Sequence, residues 1–281
     1  MSFWDAILQG IIQGLTEFLP VSSSGHLSLY QHFTGQSGEA AGLFSILLHL
    51  GTLVAVCIAF WDTIWGMIVE FFRMIGDLFT GKFTFRTQNP SRRMIFMLFV
   101  GLLPLLVFFF LRDWYTSLST DSDIIVEGLC FLATAGLLYL ADHLVPGKKD
   151  ASNMRVRDAL LVGTMQGIAP LPGLSRSGST ISAGIFAGLN REFAVSFSFI
   201  LGVPAVLGAN IFEVKDALEA GTDMSVVPML AGMVVAAVVG FLAIKLVRWL
   251  ARSGNFKVFT WYTAVLGTAT VVIGMVEKFI H

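Results

Sequence analysis

Long apolar runs alternate with short polar connections through most of the chain. Six of the runs, near 43–61, 94–111, 124–142, 194–212, 226–246 and 258–276, are long enough to cross a bilayer. An α-helix needs about 20 apolar residues to span the hydrocarbon core. Trp61, Trp114, Tyr115, Trp249 and Trp261 stand at or near the ends of these runs, where amphipathic rings anchor at the interface. Residues 5–20 and 158–172 are apolar but too short to span, and each leads through a Pro/Gly/Ser-rich loop into another short apolar piece. Paired, interrupted segments of this kind predict broken helices that meet at the midplane. Residues 62–79 combine helical apolar spacing with scattered charge. They predict either an interfacial helix or a span continuing past the membrane.

The two short segments are copies of one another. Placing "DAILQGIIQGLTEFLPVSSSGH", from Asp5, over "DALLVGTMQGIAPLPGLSRSGS", from Asp158, requires a single shift of 153 residues. At that shift Gly10 meets Gly163, Gln13 meets Gln166, Ser22 meets Ser175 and Ser24 meets Ser177. The register still holds at Phe44-Ser45 over Phe197-Ser198. This is an internal duplication. Each copy is a broken hairpin followed by three spans. Three is odd, so the second copy is inserted upside down relative to the first. The expected fold is an all-α polytopic membrane protein built as an inverted-topology repeat, with six transmembrane helices and two re-entrant helical hairpins. It forms a single membrane domain over 1–281. Repeat one is 1–143, with its hairpin at 5–35, and repeat two is 156–281, with its hairpin at 158–190.

Loop charge sets the orientation. The connections at 62–93, 143–157 and 245–257 carry most of the lysines and arginines, whereas 112–123 and 213–225 are mostly acidic. The basic connections are expected in the cytoplasm. Both termini and the entry of the first hairpin then lie outside. Asp5, Gln13 and Glu17 interrupt the first segment, which has no positive start, so it is expected to remain as a membrane element rather than be cleaved as a leader.

Composition agrees with the pattern: apolar residues are 55% of the chain and charged residues 13%, about half the charge of a soluble domain. A net charge of −1 excludes a strongly basic nucleic-acid binder. Cys57 and Cys130 lie in separate apolar runs and imply neither a disulfide nor a metal framework. "GIIQG" and "GTMQG" are G-x-x-x-G stretches that let half-helices approach closely.

The chemistry sits where the copies differ. Glu17 faces Pro170, Ser23 faces Arg176, and His26 faces Ser179. One loop supplies an acid, hydroxyls and an imidazole; the other supplies a guanidinium among Ser175, Ser177, Ser179 and Thr180. Arg is the planar clamp for phosphate oxygens, and helix N-termini expected near His26 and Ser179 add donors for an anion. An oxyanion site for phosphate or diphosphate follows. Glu17 and Gln13, four apart, share a helix face. Glu17 can bind a divalent cation, act as a base or orient His26. Gln13 can offer a neutral oxygen to a metal, bind substrate or pack. His26 is read as a proton-transfer or nucleophilic residue, His49 as a packing histidine, and Glu127 and Asp142 as residues that reach water.

"QGLTEFLPVSSSGH" and "PGLSRSGST" closely resemble the two signature motifs of the undecaprenyl-diphosphatase, or bacitracin-resistance, family. The resemblance extends over nearly the whole chain. It implies removal of one phosphate from undecaprenyl diphosphate at the outer face of a bacterial inner membrane, which recycles the lipid carrier for peptidoglycan and envelope polymers. It also implies a divalent cation, Mg²⁺ or Ca²⁺, and a homodimer. Carried over by motif, the catalytic residues are Glu17, Ser23, His26 and Arg176. Gln13, Ser22, Ser24, Ser175, Ser177 and Thr180 bind substrate, and Glu17 holds the metal. Members of the family often carry Glu where Gln13 stands here, so the cation leans on Glu17 and the substrate's own oxygens. Ser23 and His26 are rival nucleophiles. A flippase for a phosphorylated polyprenyl lipid is the alternative function on the same scaffold.

Overall fold

A computed structural model describes residues 2–34, 39–84, 89–111, 124–219 and 226–280. The 112–123 connection with Trp114 and Tyr115, residue 35 of the first hairpin, and 220–225 of the second acidic connection lie outside the described residues. Among the described residues every regular element is a helix, with one isolated bridge between Lys149 and Leu189. Its helices are α1 (Phe3–Phe18), α2 (Ser23–Thr34), α3 (Glu39–Ala59), α4 (Trp61–Phe79), α5 (Pro90–Phe109), α6 (Ile125–His143), α7 (Val156–Ile168), α8 (Arg176–Phe186), α9 (Arg191–Glu219), α10 (Val226–Ser253) and α11 (Lys257–Ile280).

Five stretches are long and apolar enough to span: α5, α6, the Arg191–Gly208 part of α9, α10 and α11. The sixth expected span is α3, which meets α4 at an 84° bend after Ala59. That bend favours the interfacial reading of α4 over a straight continuation. Glu70 of α4 is buried against α5, where Arg92 Nε donates to it at 2.7 Å and Asn89 Nδ2 at 3.0 Å. Trp65, Phe71, Phe72 and Leu78 of α4 remain exposed. A charged inner stripe and an apolar outer face suit a helix lying in an interface. Trp61, Trp249 and Trp261 are exposed, as interfacial anchors would be.

α1–α2 and α7–α8 are the two short hairpins, and they pack reciprocally across the duplication. α1 of the first copy lies on α10 of the second, and α7 of the second lies on α5 of the first. The glycines explain how closely. A Cβ at Gly10 would sit 2.6 Å from the Gly232 carbonyl, and one at Gly163 would sit 2.0 Å from the Gly101 carbonyl. Gly10, Gly14 and Gly163 therefore pack on neighbouring backbone, and Gly167 packs on the Phe108 ring. α6 and α11 close the bundle together.

Two expectations are corrected. Glu127 does not reach water: it is 2% exposed and accepts from Ser28 Oγ at 2.9 Å. Asp142 accepts from Arg191 Nη1 at 2.7 Å and from the Phe256 amide at 2.9 Å, so it pins α6 to α9 and to the turn before α11. A carboxylate near a span end can reach solvent or cap a neighbouring element, and tertiary packing chose the second for Asp142.

Candidate functional site

Each hairpin turns at a serine-capped helix start. Ser175 caps α8, its Oγ accepting from the Gly178 amide at 3.0 Å. In the first copy Ser22 Oγ accepts from the Gly25 amide at 3.2 Å. Ser22 also has φ of 72°, a left-handed backbone that a non-glycine residue adopts at some strain. Both helices start three residues earlier than expected, at Ser23 and Arg176, because Ser22 and Ser175 take the capping role. Ser23 and Arg176 thus occupy equivalent first positions of the two second arms.

These two helix starts flank one cavity of about 910 Å³. Its polar end is lined by Glu17, Ser22, Ser23, Ser24, His49, Gln166, Ser175 and Arg176. Glu17, 6% exposed, is the hub. Arg176 Nη2 donates to Glu17 Oε1 at 2.6 Å, whereas Ser23 Oγ at 2.6 Å and Gln13 Nε2 at 3.0 Å donate to Oε2. A buried carboxylate survives only when paired and hydrogen-bonded, and both repeats contribute to that pairing. The joint is reinforced behind the cavity. Ser177 Oγ donates to the Leu19 carbonyl at 3.1 Å, and Thr180 Oγ1 donates to the Arg176 carbonyl at 2.7 Å while sharing a 2.5 Å hydrogen bond with Ser198 Oγ.

Several expected substrate binders therefore hold the frame. Ser22, Ser24 and Ser175 line the cavity, but Gln13, Ser177 and Thr180 lie behind it. His26 is not brought to Glu17. Its Nδ1 donates to the Ser22 carbonyl at 2.6 Å, its Nε2 hydrogen-bonds Tyr262 Oη at 2.7 Å, and its ring stacks on Tyr262 at 5.7 Å between centroids.

His49 takes the place expected of His26. It lines the cavity with Nε2 3.8 Å from Glu17 Oε2, while its Nδ1 donates to the Ser45 carbonyl at 2.8 Å. Its sequence signal was an ionisable side chain in mid-span, which is functional by default. The duplication shift also pairs His49 with Gly202. In the second copy the large Arg176 side chain lies over Gly202, where a Cβ would fall 2.3 Å from Arg176 Nη1. In the first copy the small Ser23 leaves room for His49. Gly202→Ala is expected to displace the flexible end of Arg176 with little loss of fold. A misplacement of this kind lowers kcat/KM by about 10²-fold. A melting temperature near wild type with that loss is the expected result, and unchanged kinetics would remove Gly202 from the site.

A cation can be held here in one manner. No group of three or more His, Cys, Asp or Glu residues forms a protein cage among the described residues. Gln13 Oε1 is buried without a hydrogen-bond donor, directly behind Glu17. Gln13 does not line the cavity, so the donor set left is the Glu17 carboxylate completed by phosphate oxygens and water, which suits Mg²⁺.

Comparison with known proteins agrees with the motifs. The family described as bacitracin resistance protein BacA matches residues 6–269. A protein of Alkaliphilus metalliredigens named undecaprenyl-diphosphatase is 40% identical over 277 residues, covering 98% of this chain and 100% of the relative. Proteins with the same name from Methanosphaera stadtmanae and Treponema denticola are 37% and 38% identical. They cover 96% and 95% of this chain, and 98% and 96% of their own lengths.

Proposed function

The chain belongs to the bacitracin resistance protein BacA family, and from that premise we propose that it hydrolyses undecaprenyl diphosphate to undecaprenyl phosphate and inorganic phosphate. The observation that carries the chemistry is the Ser23–Glu17–Arg176 cluster. One buried carboxylate holds both a hydroxyl and a guanidinium at the mouth of two helix N-termini.

In this mechanism the terminal phosphate displaces Glu17 from Arg176, whose fork turns to the phosphate oxygens. Ser23 Oγ attacks the terminal phosphorus and its proton passes to Glu17 Oε2. The bond from phosphorus to the bridging oxygen breaks, and the prenyl monophosphate leaves with that oxygen. Glu17 gives that proton to the departing phosphate. Water then attacks the phosphoserine and passes a proton to Glu17. The bond from phosphorus to Ser23 Oγ breaks, and Ser23 Oγ takes the proton back as inorganic phosphate leaves. Arg176, the Ser22 and Ser24 hydroxyls and the amides at the starts of α2 and α8 stabilise the transferred charge. Glu17 and the substrate's own oxygens would hold Mg²⁺ or Ca²⁺, which would supply further charge neutralisation on the phosphate. Ser23 is favoured over His26 because Ser23 lines the cavity and His26 is held by Ser22 and Tyr262. The proposal extends to location and assembly. It places the chain in the inner membrane of a bacterium as a homodimer. It inverts the two repeats, sets both termini outside, and opens the cavity to the outer leaflet. The reciprocal packing of α1 on α10 and α7 on α5 supports the inversion. The cavity lies toward the C-terminal ends of α5 and of the Arg191–Gly208 span of α9, away from Arg92, Arg93 and Arg191 at their starts, which supports the outward opening. The flippase alternative is not favoured, since the cluster is chemically asymmetric and the relatives carry an enzyme's name.

Rapid acid quenching during turnover of a ³²P-labelled prenyl diphosphate tests the nucleophile. Acid-stable label on Ser23, absent in Ser23→Ala, is expected. Acid-labile, base-stable label on a histidine would overturn the assignment.

A further inference from the structure

In the mechanism above, Ser23, Arg176 and the helix starts act on the transferred phosphate, and the phosphate that leaves with the lipid has no partner. The duplication points to one. At the shift of 153 residues Gln166 is the twin of Gln13. Gln13 spends its Nε2 on Glu17 Oε2 at 3.0 Å, one helical turn along. Pro170 stands where the second copy would carry that carboxylate. Gln166 therefore lacks its twin's anionic partner. Its Oε1 is buried and has no hydrogen-bond partner among the described residues.

The two glutamines also differ in place. Gln13 lies behind the cavity, whereas Gln166, 6% exposed, lines it. Gly163 and Gly167, three residues before it and one after, press on Gly101 and Phe108 of α5. Gln166 shares that face of α7. It thus stands on a wall that the second repeat supplies, beside Phe108, which also lines the cavity. Glu17 and Ser23 come from the first repeat. A buried amide is costly until it is hydrogen-bonded. A half-turn of the end group presents either its oxygen, an acceptor, or its nitrogen, a donor. An anion takes the nitrogen.

We propose that Gln166 binds the phosphate that stays on the prenyl chain, its Nε2 donating to a non-bridging oxygen. That phosphate takes the place of the carboxylate missing from the second copy. This inference rests on the prenyl diphosphate reading above. A neutral donor suits the role, because it fixes the leaving group without a charge that would retain the product. It also lets the site tell a diphosphate from a monophosphate.

Isothermal titration calorimetry of the full-length protein in detergent, with Mg²⁺ present, compares inorganic pyrophosphate with orthophosphate. Gln166→Met keeps the length of the side chain and removes the donor. It is expected to weaken pyrophosphate by about 10- to 100-fold, the range for a hydrogen bond to a charged group. Orthophosphate binding is expected to stay the same, which also shows that the variant is folded. Thr164→Val, on the same helix but outside the cavity, is the control and is expected to change neither. With farnesyl diphosphate, kcat/KM of Gln166→Met is expected to fall by the same factor. Gln166→Glu, which sets a like charge against the phosphate, is expected to fall further. Unchanged pyrophosphate affinity in Gln166→Met overturns the proposal, as does an equal loss for both anions. Wild-type protein that binds pyrophosphate no better than orthophosphate overturns it too. If wild type binds pyrophosphate but releases no phosphate from farnesyl diphosphate, the phosphatase reading fails, and the calorimetry still decides Gln166.

Discussion

Glu17→Gln is expected to lower kcat by about 10³–10⁴-fold, near the upper end for loss of a positioned base, while KM for a prenyl diphosphate stays the same or falls. The amide keeps the size of the side chain and can still accept from Arg176, so the loop retains its shape. It cannot take the Ser23 proton. The split between the two constants follows from the ion pair. In the wild-type protein the substrate's phosphate must compete with Glu17 for Arg176, which Glu17 holds at 2.6 Å. The amide is a weaker competitor, so ground-state binding is preserved or improved as chemistry is lost. Steady-state phosphate release over a range of substrate concentrations measures both constants. A kcat within tenfold of wild type would exclude Glu17 as the base.

Arg176→Lys is expected to reduce kcat/KM by about 10²–10³-fold, the loss that accompanies removal of one transition-state donor. An ammonium preserves the charge and can still neutralise Glu17. It cannot present two parallel donors to a phosphate, and it does not fill the space over Gly202 that the guanidinium occupies. A variant that melts like wild type but has lost turnover would separate this geometric deficit from misfolding. Near-normal turnover would count against Arg176 as the phosphate clamp.

Much of this was readable along the chain, for identifiable reasons. A bilayer admits few backbone solutions, so apolar run length alone located the spans. Gly10, Gly14, Gly163 and Gly167 stand at helical spacing, and that spacing anticipated their close packing. The meeting of Glu17 with Arg176 was legible because equivalent loops of a duplicated scaffold must bury their irregular backbone together. The positions of His49 and His26 were not legible in the same way. Sequence adjacency to "SSSG" favoured His26, but the capped turn at Ser22 directs it to Tyr262. Nothing near His49 in its own repeat hinted that it stands 3.8 Å from Glu17.

The sequence by itself determined the helices, the repeat of one motif at a shift of 153 residues and the residue types that the two loops bring. These depend on periodicity, span length and residue chemistry, all of which are local or repeat with the chain. Only the tertiary structure decided which hydroxyls face the cavity and which brace it, and which histidine approaches the carboxylate. Those outcomes depend on side-chain direction and on contacts such as Arg176 over Gly202. Such contacts join residues far apart in sequence, so no local pattern encodes them.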